Sequence, residues 1–495
     1  MRETTASIIN NTKAMFAAQA VTWISSFFLM MFLPRYLGAE SYGKLYFAMS
    51  LTIFGGLIID LGISSLFVKE VARDRSKVNS FFMNGVSLRL IMWVIAMLGM
   101  LLYLFITGYS SELFTLIVIL GFGKLLETIS DLAHRIFQSF EQLRYRSIAV
   151  IIERVSLSVV GIVMLLAGYG IIVIAIVMTL SVLLNLLVCF LLLPKLVTLK
   201  IEITPSSWKG LLASSLPFLI STFFSFIYFR IDVIMLSAMT NDTVVGWYGA
   251  PYKLFDTMMF FPSILHIVVF PVFSRLWKQS HTEFFQTARQ TLDATVIVAV
   301  AITFCLITLA SPVVNLLFGL EEYSNSVILL QGLALIIPLI YINFIISTVD
   351  ISADKQRALS IVSIIATFIN IGLNFWLIPF FQNDYGNGAI GAMISTLITE
   401  TCVMVMFIHL LPQGCFNKEN LWVILKSLIA GIFSGVLVWY VESHLNIWYL
   451  SGLIGIIIYT AFLIAANVLT KKEFGLVLTI IPKRFSETTS RLFNL

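Results

Sequence analysis

Charge is what this sequence has least of. Of 495 residues only 12% are Asp, Glu, Lys or Arg, against 59% hydrophobic. A soluble globular chain carries roughly 25% charged residues. The deficit excludes an ordinary water-soluble domain. Cysteine is scarce too, with four in the whole chain. Cys189, Cys305 and Cys402 fall in apolar runs and Cys415 in a polar connection. No CxxC pair occurs, which argues against a disulfide framework or a zinc site. HExxH and GxSxG are both absent. "GFGKLLE" at 121–127 is the nearest thing to a phosphate loop. It lacks the first glycine and the Ser or Thr after Lys124, and it sits inside an apolar run, so no nucleotide or other cofactor is expected. Basic residues form no single clustered patch, which excludes a nucleic-acid footprint.

What the chain has instead is long apolar runs. About 20 such residues span a bilayer as a helix. Fourteen are found, at about 14–33, 44–68, 80–106, 113–138, 147–168, 170–193, 211–237, 244–270, 285–310, 325–349, 358–381, 388–411, 421–441 and 447–470. Continuous runs predict helices, because a helix satisfies every backbone group internally; a β-barrel needs short alternating segments. The fold class expected is an all-α polytopic membrane protein of about fourteen transmembrane helices. "AAQA" at 17–20 has the look of a signal cleavage site, but it opens the first run instead of following it.

The net charge of +5 is unevenly spread. Alternate connections hold most of the basic residues: Lys69, Arg73, Arg75 and Lys77; Arg135, Arg144 and Arg146; Lys195, Lys200 and Lys209; Arg275, Lys278 and Arg289; Lys355 and Arg357; Lys418 and Lys426; then Lys471, Lys472, Lys483, Arg484 and Arg491. The connections between carry Glu112, Asp242, Glu321, Glu322, Asp384 and Glu442. Arg35 and Lys44 are the exceptions. Positive loops stay inside, so both termini are expected in the cytoplasm.

The chain also repeats itself. "SFEQLRYRSIAVIIERVSL" at 139–157 aligns with "SADKQRALSIVSIIATFIN" at 352–370. "LGAESYGKLYFAMSL" at 37–51 aligns with "NDTVVGWYGAPYKL" at 241–254, an offset near 203. In each case a turn of one half matches a turn of the other in the same orientation. Parallel repeats imply a two-fold pseudo-axis along the membrane normal with a path between lobes. The domains expected are an N-terminal lobe at 1–205, a C-terminal lobe at 206–412, and two further spans with a tail at 413–495. The polar connection at 194–209 is the natural hinge.

A charge at mid-membrane costs about 2.5–3.5 kcal/mol even on the mildest scale, so such residues face an interior or a wet cavity. The candidates are Asp60, Arg89, Lys124, Glu127, Asp131, Glu153, Arg154, Arg230, Asp232, Lys253, Asp256, Asp293 and Glu400. Lys124, Glu127 and Asp131 share one helix face, as do Lys253 and Asp256; each set reads equally as a self-neutralising pair. Arg230 and Asp232 differ. Two positions apart, they point about 200° from each other and need separate partners. Arg230 either snorkels to headgroups or faces the cleft and receives an anion.

"RYLGAESYGKLYFAMSL" (35–51), "DLGISSLFVKEVARD" (60–74), "YFRIDVIMLSAM" (228–239) and "LNFWLIPFFQNDYGNGAIGAMIST" (373–396) resemble the bacterial polysaccharide flippases of the Wzx type. These share a superfamily with the MATE drug exporters and the lipid II flippases. The resemblance runs over about 1–412. It implies alternating access about a central cavity in the bacterial inner membrane. It implies a polyprenyl-pyrophosphate-linked oligosaccharide as substrate, for O-antigen, capsule or exopolysaccharide. It also implies partners in a polymerase and a chain-length regulator. Cavity cations on this reading are Arg230, Lys253, Lys124 and Arg89. The alternative is an ion-coupled MATE-type drug or metabolite antiporter. That reading favours the acids Asp60, Glu127, Asp131, Asp232 and Asp256. A membrane glycosyltransferase needs larger outside loops than these.

Overall fold

The computed structural model describes the backbone of residues 2–445 and 447–468. Side chains are described from residue 21 on, except Ser65, Lys69, Ser207, 217–226, 228–229 and Leu445. Lys471, Lys472, Lys483, Arg484 and Arg491, expected in the tail, lie outside the described residues.

Among the described residues every regular element is a helix. In chain order they begin with α1 (Arg2–Asp60), α2 (Ile63–Arg73), α3 (Val78–Thr107), α4 (Ser111–Ser139), α5 (Leu143–Leu166) and α6 (Ile171–Leu192). Then come α7 (Trp208–Met239), α8 (Asp242–Met258), α9 (Phe260–Gln279), α10 (His281–Thr308), α11 (Ala310–Leu317) and α12 (Leu320–Tyr323). The last are α13 (Asn325–Ser352), α14 (Gln356–Tyr385), α15 (Gly388–Leu410), α16 (Lys418–Leu445) and α17 (Trp448–Ala465).

Twelve helical stretches among the described residues are long and apolar enough to cross a membrane. One of them, Val21–Asp60, runs 40 residues, enough for two crossings. It breaks at Gly38, whose φ of 77° is left-handed and costs other residues strain. The 32-residue α7 adds another of sufficient length. About fourteen membrane helices result, and the chain is a multi-pass membrane protein. Its exposed surface confirms the solvent it faces: Phe105, Leu191 and Trp376 are each at least 75% exposed, large apolar side chains that suit lipid.

The chain forms two compact units. The first takes Met1–Ala250, Leu317–Tyr323 and Asn370–Ala392. Within it α1 packs on α3, α4 and α5, and α4 on α6. Phe67 of α2, Phe82 and Leu88 of α3, and Leu132, Ile136 and Phe137 of α4 build an apolar core with Cys189 of α6. The connection from α6 to α7 is held along α3 by two amides. Asn79 Oδ1 accepts from Lys200 N at 2.8 Å. Asn84 Oδ1 accepts from Thr204 N and from Trp208 Nε1, each at 2.9 Å.

The second unit takes Pro251–Leu316, Ser324–Ile369 and the chain from Met393 onward. Here α10 is central, packing on α9, α13 and α16. Glycines let helices approach closely, as small residues do in lipid: a Cβ at Gly431 of α16 would strike the Phe304 ring of α10. Tyr459 of α17 donates its hydroxyl to the Ile297 carbonyl of α10 at 2.9 Å. Lys355 Nζ donates to the Leu410 carbonyl at the end of α15. Arg289 Nε donates to the Gly414 carbonyl at 2.6 Å. Of the two, Lys355 stands at a helix C-terminus, where a cation satisfies an orphan carbonyl and opposes the dipole.

Candidate functional site

The site is best built from the break in α1. Beyond Gly38 a new helix begins, and its first N–H groups have no partner within it. Glu322 supplies one: its Oε2 accepts from Ala39 N at 2.8 Å. Its neighbour Tyr323 donates to the Pro34 carbonyl at 3.1 Å. Trp247 Nε1 donates to the Glu322 carbonyl at 2.8 Å. Leu317–Tyr323 therefore clamps the break from one side.

The second half of α1 lies against the start of α8 without side chains between. A Cβ on Gly43 would fall on the Asp242 carbonyl, and a Cβ on Gly246 would fall on the Ala39 carbonyl. Gly249, one turn on, leaves room for the ring of Tyr46. That ring is buried and stacks on Tyr42, centroids 5.9 Å apart.

Arg230 of α7 meets this seam. It is half-buried, and its Nη1 donates to the Tyr46 hydroxyl at 3.0 Å. Asp232 turns elsewhere. It is buried, accepts from the Tyr248 hydroxyl of α8, and accepts from Val233 N at 2.9 Å. Arg230 lies nine positions before Met239, the last residue of α7. At 1.5 Å per residue that is about 14 Å along the axis.

Three more of the candidates form one partly buried network with Ser64 and Arg135. Arg89 of α3 is fully buried. It donates to Asp60 Oδ1, to the Thr128 carbonyl, and to Ser64 Oγ at 2.8 Å. Ser64 Oγ lies 2.6 Å from both Asp60 Oδ1 and Asp131 Oδ2. Arg135 Nη2 pairs with Asp131 Oδ1 at 3.2 Å. Two arginines thus meet two aspartates, and the charges balance around the buried Arg89. Arg89 is closed to a ligand in this conformation. Lys124 pairs with Glu127 at 3.0 Å, and its stem crosses Gly56 of α1. Lys253 and Asp256 are half-buried on the part of α8 that belongs to the second unit. Arg230, Asp232, Asp60, Arg89, Lys124, Glu127 and Asp131 belong to the first.

The hydroxyl and acid partners Tyr46, Tyr248, Ser64 and Glu322 carry no signal of their own in sequence. Tyr46 and Tyr248 do lie in the two matched turns, and Tyr46 also in the 35–51 stretch that carries the resemblance. Asp350, at the end of α13, is also unmarked; it is fully buried, with neither carboxylate oxygen hydrogen-bonded among the described residues.

The model of the polysaccharide biosynthesis protein family matches residues 8–277, more than half of the chain. The chain belongs to that family. It is 22% identical over 423 residues to the capsular polysaccharide biosynthesis protein CapF of Staphylococcus aureus, covering 81% of this chain and 98% of the relative. Its fold is that of a lipid II flippase MurJ in an inward closed conformation, with a TM-score of 0.74, 16% identity, and coverage of 92% of this chain and 98% of that one. An inward-facing multidrug resistance MATE family transporter of the MOP superfamily is similar at a TM-score of 0.64 and 16% identity, over 84% of this chain and 96% of that one. The family member thus has the helical architecture of the flippase and MATE transporters.

Proposed function

We propose that this chain is a flippase that moves a polyprenyl-pyrophosphate-linked oligosaccharide from the cytoplasmic to the periplasmic leaflet. It does so by alternating access between two parallel lobes, 1–205 and 206–412, in the bacterial inner membrane with both termini cytoplasmic. The product feeds O-antigen, capsule or exopolysaccharide assembly, where a polymerase and a chain-length regulator are its partners. Membership in a polysaccharide biosynthesis family and the shared flippase fold support this reading.

The observation that carries it is Arg230. An arginine about 14 Å along the axis from the end of a membrane-length helix needs a reason to be there. It bonds a tyrosine on α1, while its neighbour Asp232 bonds a tyrosine on α8. A pyrophosphate crossing the bilayer needs such a cation, and a guanidinium offers a bidentate fork. The lipid tail stays among apolar helices while the headgroup moves. The antiporter reading finds less support, since Asp60 and Asp131 are bonded to arginine and Glu127 to lysine.

Complementation of a deletion strain tests the assignment, scoring surface polymer with a membrane-fraction blot as control. Arg230→Ala is expected to abolish polymer at near-normal protein level. Arg230→Lys retains part of it, because it keeps charge without the fork. Loss of one charge-assisted bond costs about 1.5–3 kcal/mol, or roughly one to two orders of magnitude in binding. Normal polymer from Arg230→Ala would sink the assignment.

A further inference from the structure

An arginine that must receive a pyrophosphate at one depth has a long, rotamer-rich stem. Its charge is useful only if the fork is held in place. The geometry points to Tyr46 as the residue that holds it: we infer that Tyr46 is a positioning residue for Arg230, an inference that rests on the proposed role of Arg230 in binding the anionic linkage.

Four observations carry it. The Tyr46 hydroxyl accepts from Arg230 Nη1 at 3.0 Å. One of the five N–H donors is used there, and the planar fork is oriented by it. The ring is 4% exposed, so the hydroxyl is fixed by packing and not by solvent. On one side it stacks on Tyr42 at an interplanar angle of 23°. On the other it lies over Gly249, where a Cβ would come within 2.6 Å of its Cδ1.

The seam beneath the ring matters as much. Gly43 and Gly246 bring α1 and α8 together with no adjustable side chain between them. Tyr46, three residues beyond Gly43, therefore stands on a rigid base. A tyrosine has two soft torsions, so locking it costs little entropy. The bland reading is a core tyrosine whose hydroxyl happens to find a cation. That reading assigns Tyr46 a share of stability and none of ligand binding.

The two separate in a binding cycle on the purified full-length protein in detergent. Farnesyl pyrophosphate serves as the probe, and the unfolding midpoint is measured in parallel. Tyr46→Phe removes only the hydroxyl and is expected to weaken binding about five- to ten-fold. In an Arg230→Ala background the same change is expected to do nothing further, because residues acting through one another are non-additive. Gly249→Ala displaces the ring and is expected to weaken binding in the same way. It carries the test with the same outcomes if Tyr46→Phe does not fold. Wild-type affinity in Tyr46→Phe overturns the inference. So does an equal loss in both backgrounds, which would make Tyr46 independent of Arg230. Arg230→Ala alone binding the probe like wild type would instead overturn the role of Arg230.

Discussion

Gly43 and Gly246 press their backbones together: a Cβ on Gly43 would lie 2.8 Å from Gly246 N. The contact is reciprocal. Gly43 faces Asp242, and Gly246 faces Ala39. Ala39 and Asp242, like Gly43 and Gly246, stand 203 positions apart, which is the offset of the two matched turns. A contact of residue i with j′ and of j with i′ is the signature of a two-fold relation. The prediction is symmetric. Gly43→Ala and Gly246→Ala should each cost about 1–3 kcal/mol, the scale of overpacking a tight interior. The double variant should cost less than the sum, since both open one seam. Fluorescence-detected size exclusion against temperature reads this; strictly additive losses would separate the two glycines.

How much of this was legible in sequence depends on range. Hydropathy is local, so the spans are visible one by one. Helix geometry alone requires Arg230 and Asp232 to have different partners, because a two-residue step turns about 200°. Naming Tyr46 and Tyr248 as those partners is beyond it, since a tyrosine in an apolar helix is usually core. The matched turns reveal equivalence, yet nothing in one dimension says that equivalent segments touch. Arg89, Asp60 and Asp131 stand out as charges in three successive spans, but pairing across helices depends on rotation about each axis. Glu322 reads as a loop acid among others; its bond to Ala39 spans 283 positions.

Topology is predicted from the alternation of basic connections. Reporter fusions after Asn241 and after Asn383 should report the periplasm, and fusions after Arg75 and after Lys355 the cytoplasm. A cytoplasmic signal at Asn241 would break the span count.

Cys415 lies in the connection between α15 and α16 and is fully buried. Burial, with the Asp350 carboxyl nearby, pushes its thiol up to about 12. A raised thiol stays protonated below that value, and the thiolate is the reactive form. In a variant with the other three cysteines changed to serine, a maleimide at pH 8 should leave Cys415 unlabelled until detergent denatures the protein. Rapid labelling of the native form would show the connection open.

Two arginines in the first unit should fail in opposite ways. Arg89 is enclosed with Asp60, and its removal leaves a partly buried carboxylate without its cation. Breaking a buried pair by deleting one partner typically costs about 3–5 kcal/mol. Arg89→Ala should therefore lower the amount of folded protein in the membrane, and polymer should fall in proportion. Changing Asp60 to Asn in the same chain removes the stranded charge and should restore part of the protein level. Arg230 is half-buried and donates to the Tyr46 hydroxyl; on the proposed role in binding the anionic linkage, Arg230→Ala should leave protein level near normal while polymer is lost. The measurement is polymer per unit of folded transporter, with size-exclusion fluorescence as the denominator. The ratio should stay near wild type for Arg89→Ala and collapse for Arg230→Ala. A collapsed ratio for Arg89→Ala at normal protein level would move Arg89 out of the packing and into the transport path.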